Sequence, residues 1–173
     1  KTLVTSIASV MVGAVMAYAH IEQSGTCIAI YPEPASCATA REQQTLLMDR
    51  FWPVTILCLL VALFLQIAVN YANDYSDGIR GTDAGRDTDE SKSGKPQRLT
   101  ASGLVPAKHV LFAAMICAAI ACICGVVAVV LAQAWWLLAV GAASLLAGWF
   151  YTGGKHPYGY VGLGEVGVFL FFG

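Results

Sequence analysis

Apolar runs separated by shorter polar segments organise the whole chain, and a window of about 19 residues, the length that crosses a bilayer as a helix, picks out five of them. With the residues that flank them they predict spans at about 3–19, 51–73, 108–132, 135–152 and 157–173. The third and fourth come from one stretch, Val110 to Gly154, which carries no charged residue at all. As one helix rising about 1.5 Å per residue, it would be roughly twice as long as a ~30 Å hydrocarbon core is thick, so it must turn back. The turn falls near Gln133, and Trp135 and Trp136 beside it suit the aromatic belt at a membrane surface. The run from Leu3 to Ala19 behind Lys1 shares features with a secretory signal, but its length and the matching pattern downstream favour a true span. The pattern therefore predicts an all-α fold: a polytopic transmembrane helical bundle with four complete spans and a truncated fifth, forming part of a single domain over 1–173.

Composition supports that picture. Of the 173 residues, 57% are hydrophobic and 12% charged, about half the charged share of a soluble domain. The net charge of -1 leaves no basic field for holding nucleic acid. Twelve of the charged residues lie between Asp74 and Lys108. Cations divide unevenly among the connections: the segment from His20 to Arg50 has Arg41 and Arg50, whereas Lys1, the segment from Arg80 to Lys108 and the turn with Lys155 hold eight. By the positive-inside rule the N-terminus and the long second connection are cytoplasmic, in a multi-pass protein of the cell membrane. The first connection, with Cys27 and Cys37, is then outside, where a disulfide can form. Cys58, Cys117, Cys122 and Cys124 fall inside apolar runs and read as small core hydrophobes. The chain opens at Lys1 and stops at Gly173 inside the apolar run from Val166 to Phe172. A free carboxylate would be costly there, so the expectation is a piece of a longer membrane protein.

The chemistry concentrates where the second span ends. Gln66, Asn70, Asn73, Asp74 and Asp77 fall on one helical stripe, so oxygen donors line a single face as the helix leaves the membrane. Two carboxylates three residues apart repel unless a cation neutralises them, and hard oxygen donors suit Mg²⁺ shared with a phosphate. Two other motif readings fail on spacing. An EF-hand loop begun at Asp83 meets Thr88 and Gly94 where Gly and Glu are required. The opening Asp74-x-x-Asp77-Gly78 of a CDP-alcohol phosphotransferase signature is followed by Gly81-Thr82 and lacks the later Asp pair. Gly78 and Gly81 are expected to end the helix.

The segment Leu65-Gln66-Ile67 through Asn73-Asp74-Tyr75-Ser76-Asp77-Gly78 to Gly81-Thr82-Asp83 resembles the first aspartate-rich motif of the UbiA-type membrane prenyltransferases, in the form used by their menaquinone branch. Lys1-Thr2-Leu3, Arg98 with Ser102-Gly103, Tyr151-Thr152-Gly153-Gly154-Lys155, and the run from Pro157 to Glu165 with Phe171-Phe172-Gly173 resemble further elements of that branch in the same order. The general superfamily pattern has its third Asp at the position of Gly81, which the branch moves to Asp83. The superfamily's second Asp-x-x-x-Asp motif lies further downstream and is absent from these residues.

The resemblance implies a bundle of about nine spans with an active site opening to the cytoplasm. It implies Mg²⁺ held by Asn73, Asp74, Asp77 and Asp83, and a polyprenyl diphosphate bound by Asn70, Arg80, Arg98, Tyr151 and Lys155. Asp77, Lys155 and Glu165 would act in catalysis, with Glu165 on the side of the aromatic substrate, which in the branch is 1,4-dihydroxy-2-naphthoate. The fragment alone is expected to be inactive, and its oligomeric state and prenyl chain length stay open. A relative with another aromatic acceptor is the first alternative. A cation transporter is the second, although its acids would be expected nearer mid-membrane.

Overall fold

The computed structural model describes residues 2–24, 34–80, 99–100 and 105–152, and within them every regular element is a helix. Four follow in order: α1 (Thr2–Ser24), α2 (Pro34–Arg80), α3 (Ala107–Ala132) and α4 (Trp136–Thr152). Three contain segments long and apolar enough to cross a membrane, Val4–Ser24, Cys37–Ile79 and Ala107–Ala132. The 17 residues of α4 are also apolar but would cover only about 25 Å, slightly less than a hydrocarbon core. The expected fifth span, 157–173, lies outside the described residues. Val4, Val12, Val15 and Met16 on α1 are each more than 60% exposed. A soluble protein would not present so many large apolar side chains together, whereas lipid covers them at no cost. The fold is that of a polytopic membrane bundle.

The spans at 108–132 and 135–152 match α3 and α4 to within a residue. The second helix differs from expectation at both ends. The polar segment before Phe51 is helical on both sides of residues 25–33, which lie outside the described residues: α1 continues to Ser24, and α2 starts at Pro34. Proline suits the first turn of a helix, and the residues from Ala38 to Met48 are mostly Ala, Arg, Glu, Gln, Leu and Met, all strong helix formers. Helix propensity rather than hydropathy decides the structure of this stretch. At its other end, α2 passes through Gly78 and stops at Arg80. A single glycine costs about 1 kcal/mol against alanine, too little to break a helix already propagated over many turns. The resulting 47 residues would extend about 70 Å, so α2 must project beyond the bilayer. Pro53 sits inside it and cannot donate to the carbonyl four residues back.

The helices pack as two compact units, Lys1–Gln66 with Ile120–Ala134 and Ile67–Ala119 with Trp135–Gly173. In the first, Tyr18 meets Phe51 edge to face with ring centroids 5.5 Å apart, and Phe51 is buried. Gln44 Nε2 donates to the carbonyl of Glu22 at 3.2 Å. The C-terminus of α3 is closed by several donors. Gln133 adopts a left-handed φ of 57°, the backbone N–H of Ala134 reaches the Val129 carbonyl, and the Gln133 side chain donates to the Val130 carbonyl at 2.7 Å. Arg50 Nη1 donates to the Leu131 carbonyl at 3.3 Å, placing a cation where the helix dipole is negative. Cys37 is disulfide-bonded, while Cys27 lies outside the described residues. Cys58, Cys117, Cys122 and Cys124 are free, but Cys122 is exposed and the other three are only half-buried, so the expectation of core positions does not hold: these apolar helices leave faces uncovered.

In the second unit Ala68, Val110 and Ala114 are buried, as are two polar side chains, Asp74 and Ser76. The backbone N–H of Val105 donates to the Leu99 carbonyl at 3.3 Å and that of His109 to the Pro106 carbonyl at 2.8 Å, shaping the entry into α3.

Candidate active site

The last three turns of α2 hold the described part of the candidate site. This stretch has no proline, and at about 100° per residue it keeps Asn70, Asn73, Asp74 and Asp77 within roughly a third of the helix circumference. Their exposure is graded: Asn70 is exposed, Asn73 and Asp77 are half-buried, and Asp74 is 7% exposed. The Asp74 atom Oδ1 is buried and has no hydrogen-bond partner. A buried carboxylate oxygen in that state costs several kcal/mol in stability unless something positive meets it.

This orphaned oxygen is the structural test of the expected metal. Among the described residues no three His, Cys, Asp or Glu side chains converge, so a metal site there is not complete. What is present is two carboxylates and an amide, with neither sulfur nor imidazole. Such donors fit a hard cation that keeps part of its shell for water or phosphate. Asp74 then has a reason to be buried without a partner.

The other expected residues divide by where they fall. Asp83, Arg98, Lys155 and Glu165 lie outside the described residues. Arg80 is the last residue of α2 and Tyr151 lies in the last turn of α4. Asn70, Asn73, Asp74 and Asp77 are thus brought together on one helix end. Gln66, at the head of the stripe, is engaged differently: Ser6 Oγ donates to its Oε1 at 2.9 Å.

Three polar residues gain weight only from the structure. Ser76 is 7% exposed, the Thr100 hydroxyl is buried without a partner, and Ser6 pairs with Gln66. The available signals were the position of Ser76 inside the aspartate-rich run and the cluster of Thr5, Ser6 and Ser9 in a mostly apolar first span.

Comparison with known proteins bears on the same segment. The UbiA prenyltransferase family matches over residues 45–173. A 1,4-dihydroxy-2-naphthoate octaprenyltransferase of Mycobacterium tuberculosis is 50% identical over 122 residues, covering 70% of this chain and 39% of that protein. One from Mycobacterium leprae is 44% identical over 145 residues, or 84% and 45%. One from Escherichia coli is 35% identical over 130 residues, or 69% and 39%. The chain thus spans less than half the length of these curated relatives. No solved structure matches it. The chain belongs to the UbiA prenyltransferase family.

Proposed function

We propose that the protein of which this chain is part transfers a polyprenyl group from a polyprenyl diphosphate to 1,4-dihydroxy-2-naphthoate with loss of CO₂, giving demethylmenaquinol. The observation that carries the reading is the acid-bearing end of α2, with its buried and unpartnered Asp74 oxygen, inside a segment matched by the prenyltransferase family. The acceptor is supported by the relatives, which carry the name 1,4-dihydroxy-2-naphthoate octaprenyltransferase.

Asn73, Asp74, Asp77 and Asp83 would hold Mg²⁺, whose charge offsets that of the departing diphosphate. Asn70, Arg80, Arg98, Tyr151 and Lys155 would bind the diphosphate oxygens and hold the allylic carbon in place. The C–O bond breaks with its electron pair leaving on the diphosphate. Apolar helix walls then keep water from the allylic cation until the ring carbon attacks it. Glu165 would orient the naphthoate. As the new C–C bond forms, the carboxylate leaves as CO₂ and its bonding pair returns to the ring, so no external oxidant or base is needed.

The N-terminus and the site would face the cytoplasm of a cell-membrane protein, with Cys37 outside. A disulfide at Cys37 agrees with that sidedness. After mild reduction of intact cells, a membrane-impermeant maleimide should label Cys37. Labelling only after lysis would reverse the orientation.

The deciding assay gives the full-length protein Mg²⁺, a radiolabelled polyprenyl diphosphate and a panel of aromatic acids. Product is expected with 1,4-dihydroxy-2-naphthoate and none after chelation. Turnover with 4-hydroxybenzoate alone would overturn the acceptor, and full turnover by Asp77→Ala would overturn the metal role.

A further inference from the structure

Among the described residues two side-chain oxygens are buried without a hydrogen-bond partner, Oδ1 of Asp74 and the hydroxyl oxygen of Thr100. Both belong to the second unit. Thr100 as a whole is half-buried, so the part of it that reaches solvent is not its polar atom. Threonine hydroxyls ordinarily meet water or a nearby carbonyl, as that of Thr45 does by donating to the Arg41 carbonyl at 2.9 Å. A hydroxyl shut away from both costs about 1–3 kcal/mol, so its burial calls for a partner that arrives from outside the fold.

The place of Thr100 in the chain narrows what that partner is. α2 ends at Arg80 and α3 begins at Ala107, and the charged connection between them cannot cross hydrocarbon, so Thr100 lies on the same membrane side as the acid-bearing end of α2. The backbone N–H of Val105 donates to the Leu99 carbonyl at 3.3 Å, which fixes the residue beside Thr100 at the entry to α3. The two unpartnered atoms also differ in kind. A carboxylate oxygen only accepts and is best met by a cation, whereas a hydroxyl can donate and does so most strongly to an anion. A metal-bound diphosphate carries both charges. We propose that the Thr100 hydroxyl donates a hydrogen bond to a diphosphate oxygen of the prenyl donor, which adds Thr100 to the residues that bind this substrate. This rests on the prenyltransferase reading given above.

The test uses the full-length protein in lipid nanodiscs, with Mg²⁺ and inorganic pyrophosphate as the binding probe. Thr100→Val keeps nearly the same shape and removes the hydroxyl. It should weaken pyrophosphate binding and raise KM for the polyprenyl diphosphate by about 10- to 100-fold, as loss of a hydrogen bond to a charged group does. KM for the aromatic acceptor should not move. Without ligand its Tm should stay level or rise, because the hydroxyl has no bond to lose. Thr100→Ser should restore binding, and Thr45→Val should bind like the wild type. If Thr100→Val does not fold, Thr100→Ala with its Ser rescue decides instead. A lowered Tm with pyrophosphate affinity unchanged would assign the hydroxyl to a structural water and overturn the proposal, as would a loss of binding that Thr100→Ser does not repair. Asp77→Ala separates the two levels: if it binds Mg²⁺-pyrophosphate normally, the functional reading fails. If it loses binding while Thr100→Val keeps it, only the role of Thr100 fails.

Discussion

The acid-bearing end of α2 and the body of α3 meet the problem of burial in a membrane protein in opposite ways. On α3 the buried positions are Val110, Ala114, Ala121, Ala128 and Val129, and three of them are alanines seven residues apart. Small side chains let helices approach closely, and packing of this kind supplies most of the association energy available in lipid. At the end of α2 the buried set includes Asp74 and Ser76, and the Asp74 atom Oδ1 has no partner. One surface is built for packing. The other buries a carboxylate oxygen without a partner, which costs stability unless a positive group meets it.

The largest expected effect breaks that contrast if it fails. Asp74→Asn keeps the size of the side chain and removes its charge. In the full-length enzyme it should lower turnover by about 10²-fold, as removal of a metal ligand or its partner commonly does. Its Tm, measured without divalent cations, should stay level or rise, because an unpaired buried charge is destabilising. Retained turnover with a Tm several degrees lower would make Asp74 a structural residue and erase the difference between the two helices.

The contrast was partly legible in the amino-acid sequence. The uncharged stretch gave α3 and α4 and the turn between them, because forty-five residues without a charge leave few ways to cross a bilayer. The stripe from Asn70 to Asp77 was legible from helical spacing. The helix at 34–50 was not, because a hydropathy window scores its Arg, Glu and Gln as polar and cannot weigh their helix propensity. Gly78 misled for a related reason: a glycine permits a helix to end without requiring it. The burial of Asp74 relative to Asp77 could not be read at all, since both lie on the same stripe and only tertiary packing separates them.

On the packing side, Ala121 is 2% exposed, so Ala121→Phe has no room to enter without displacing its neighbours. Overpacking of this kind costs about 1–3 kcal/mol. It should appear as a lower Tm with the affinity for Mg²⁺-pyrophosphate unchanged, and a selective loss of pyrophosphate binding would blur the division between the two regions. A smaller effect is expected from Arg50→Ala. The donor to Leu131 would be lost, but the Val129 and Val130 carbonyls keep their own partners, so the cost should be a few tenths of a kcal/mol, falling further at high salt. A Tm drop as large as that of Ala121→Phe would make this cation, rather than the small-residue face, the main fastening of α3.

Gly125 gives the smallest expected change and the sharpest reading of how closely α3 is packed. A Cβ built there would lie 3.8 Å from Val61 Cγ2, which is ordinary van der Waals contact rather than a clash. Gly125→Ala should therefore gain helix propensity, worth at most about 1 kcal/mol, without a steric cost to offset it. The expected Tm is equal to or slightly above that of the parent protein, with KM for the polyprenyl diphosphate unmoved. The alanines of α3 are already buried, so a methyl group accepted at Gly125 and a ring refused at Ala121 would show how the free space varies along this helix. A marked fall in Tm would mean that the helices come closer at Gly125 than 3.8 Å allows, and that this glycine, like the alanines, is held for packing rather than merely tolerated by it.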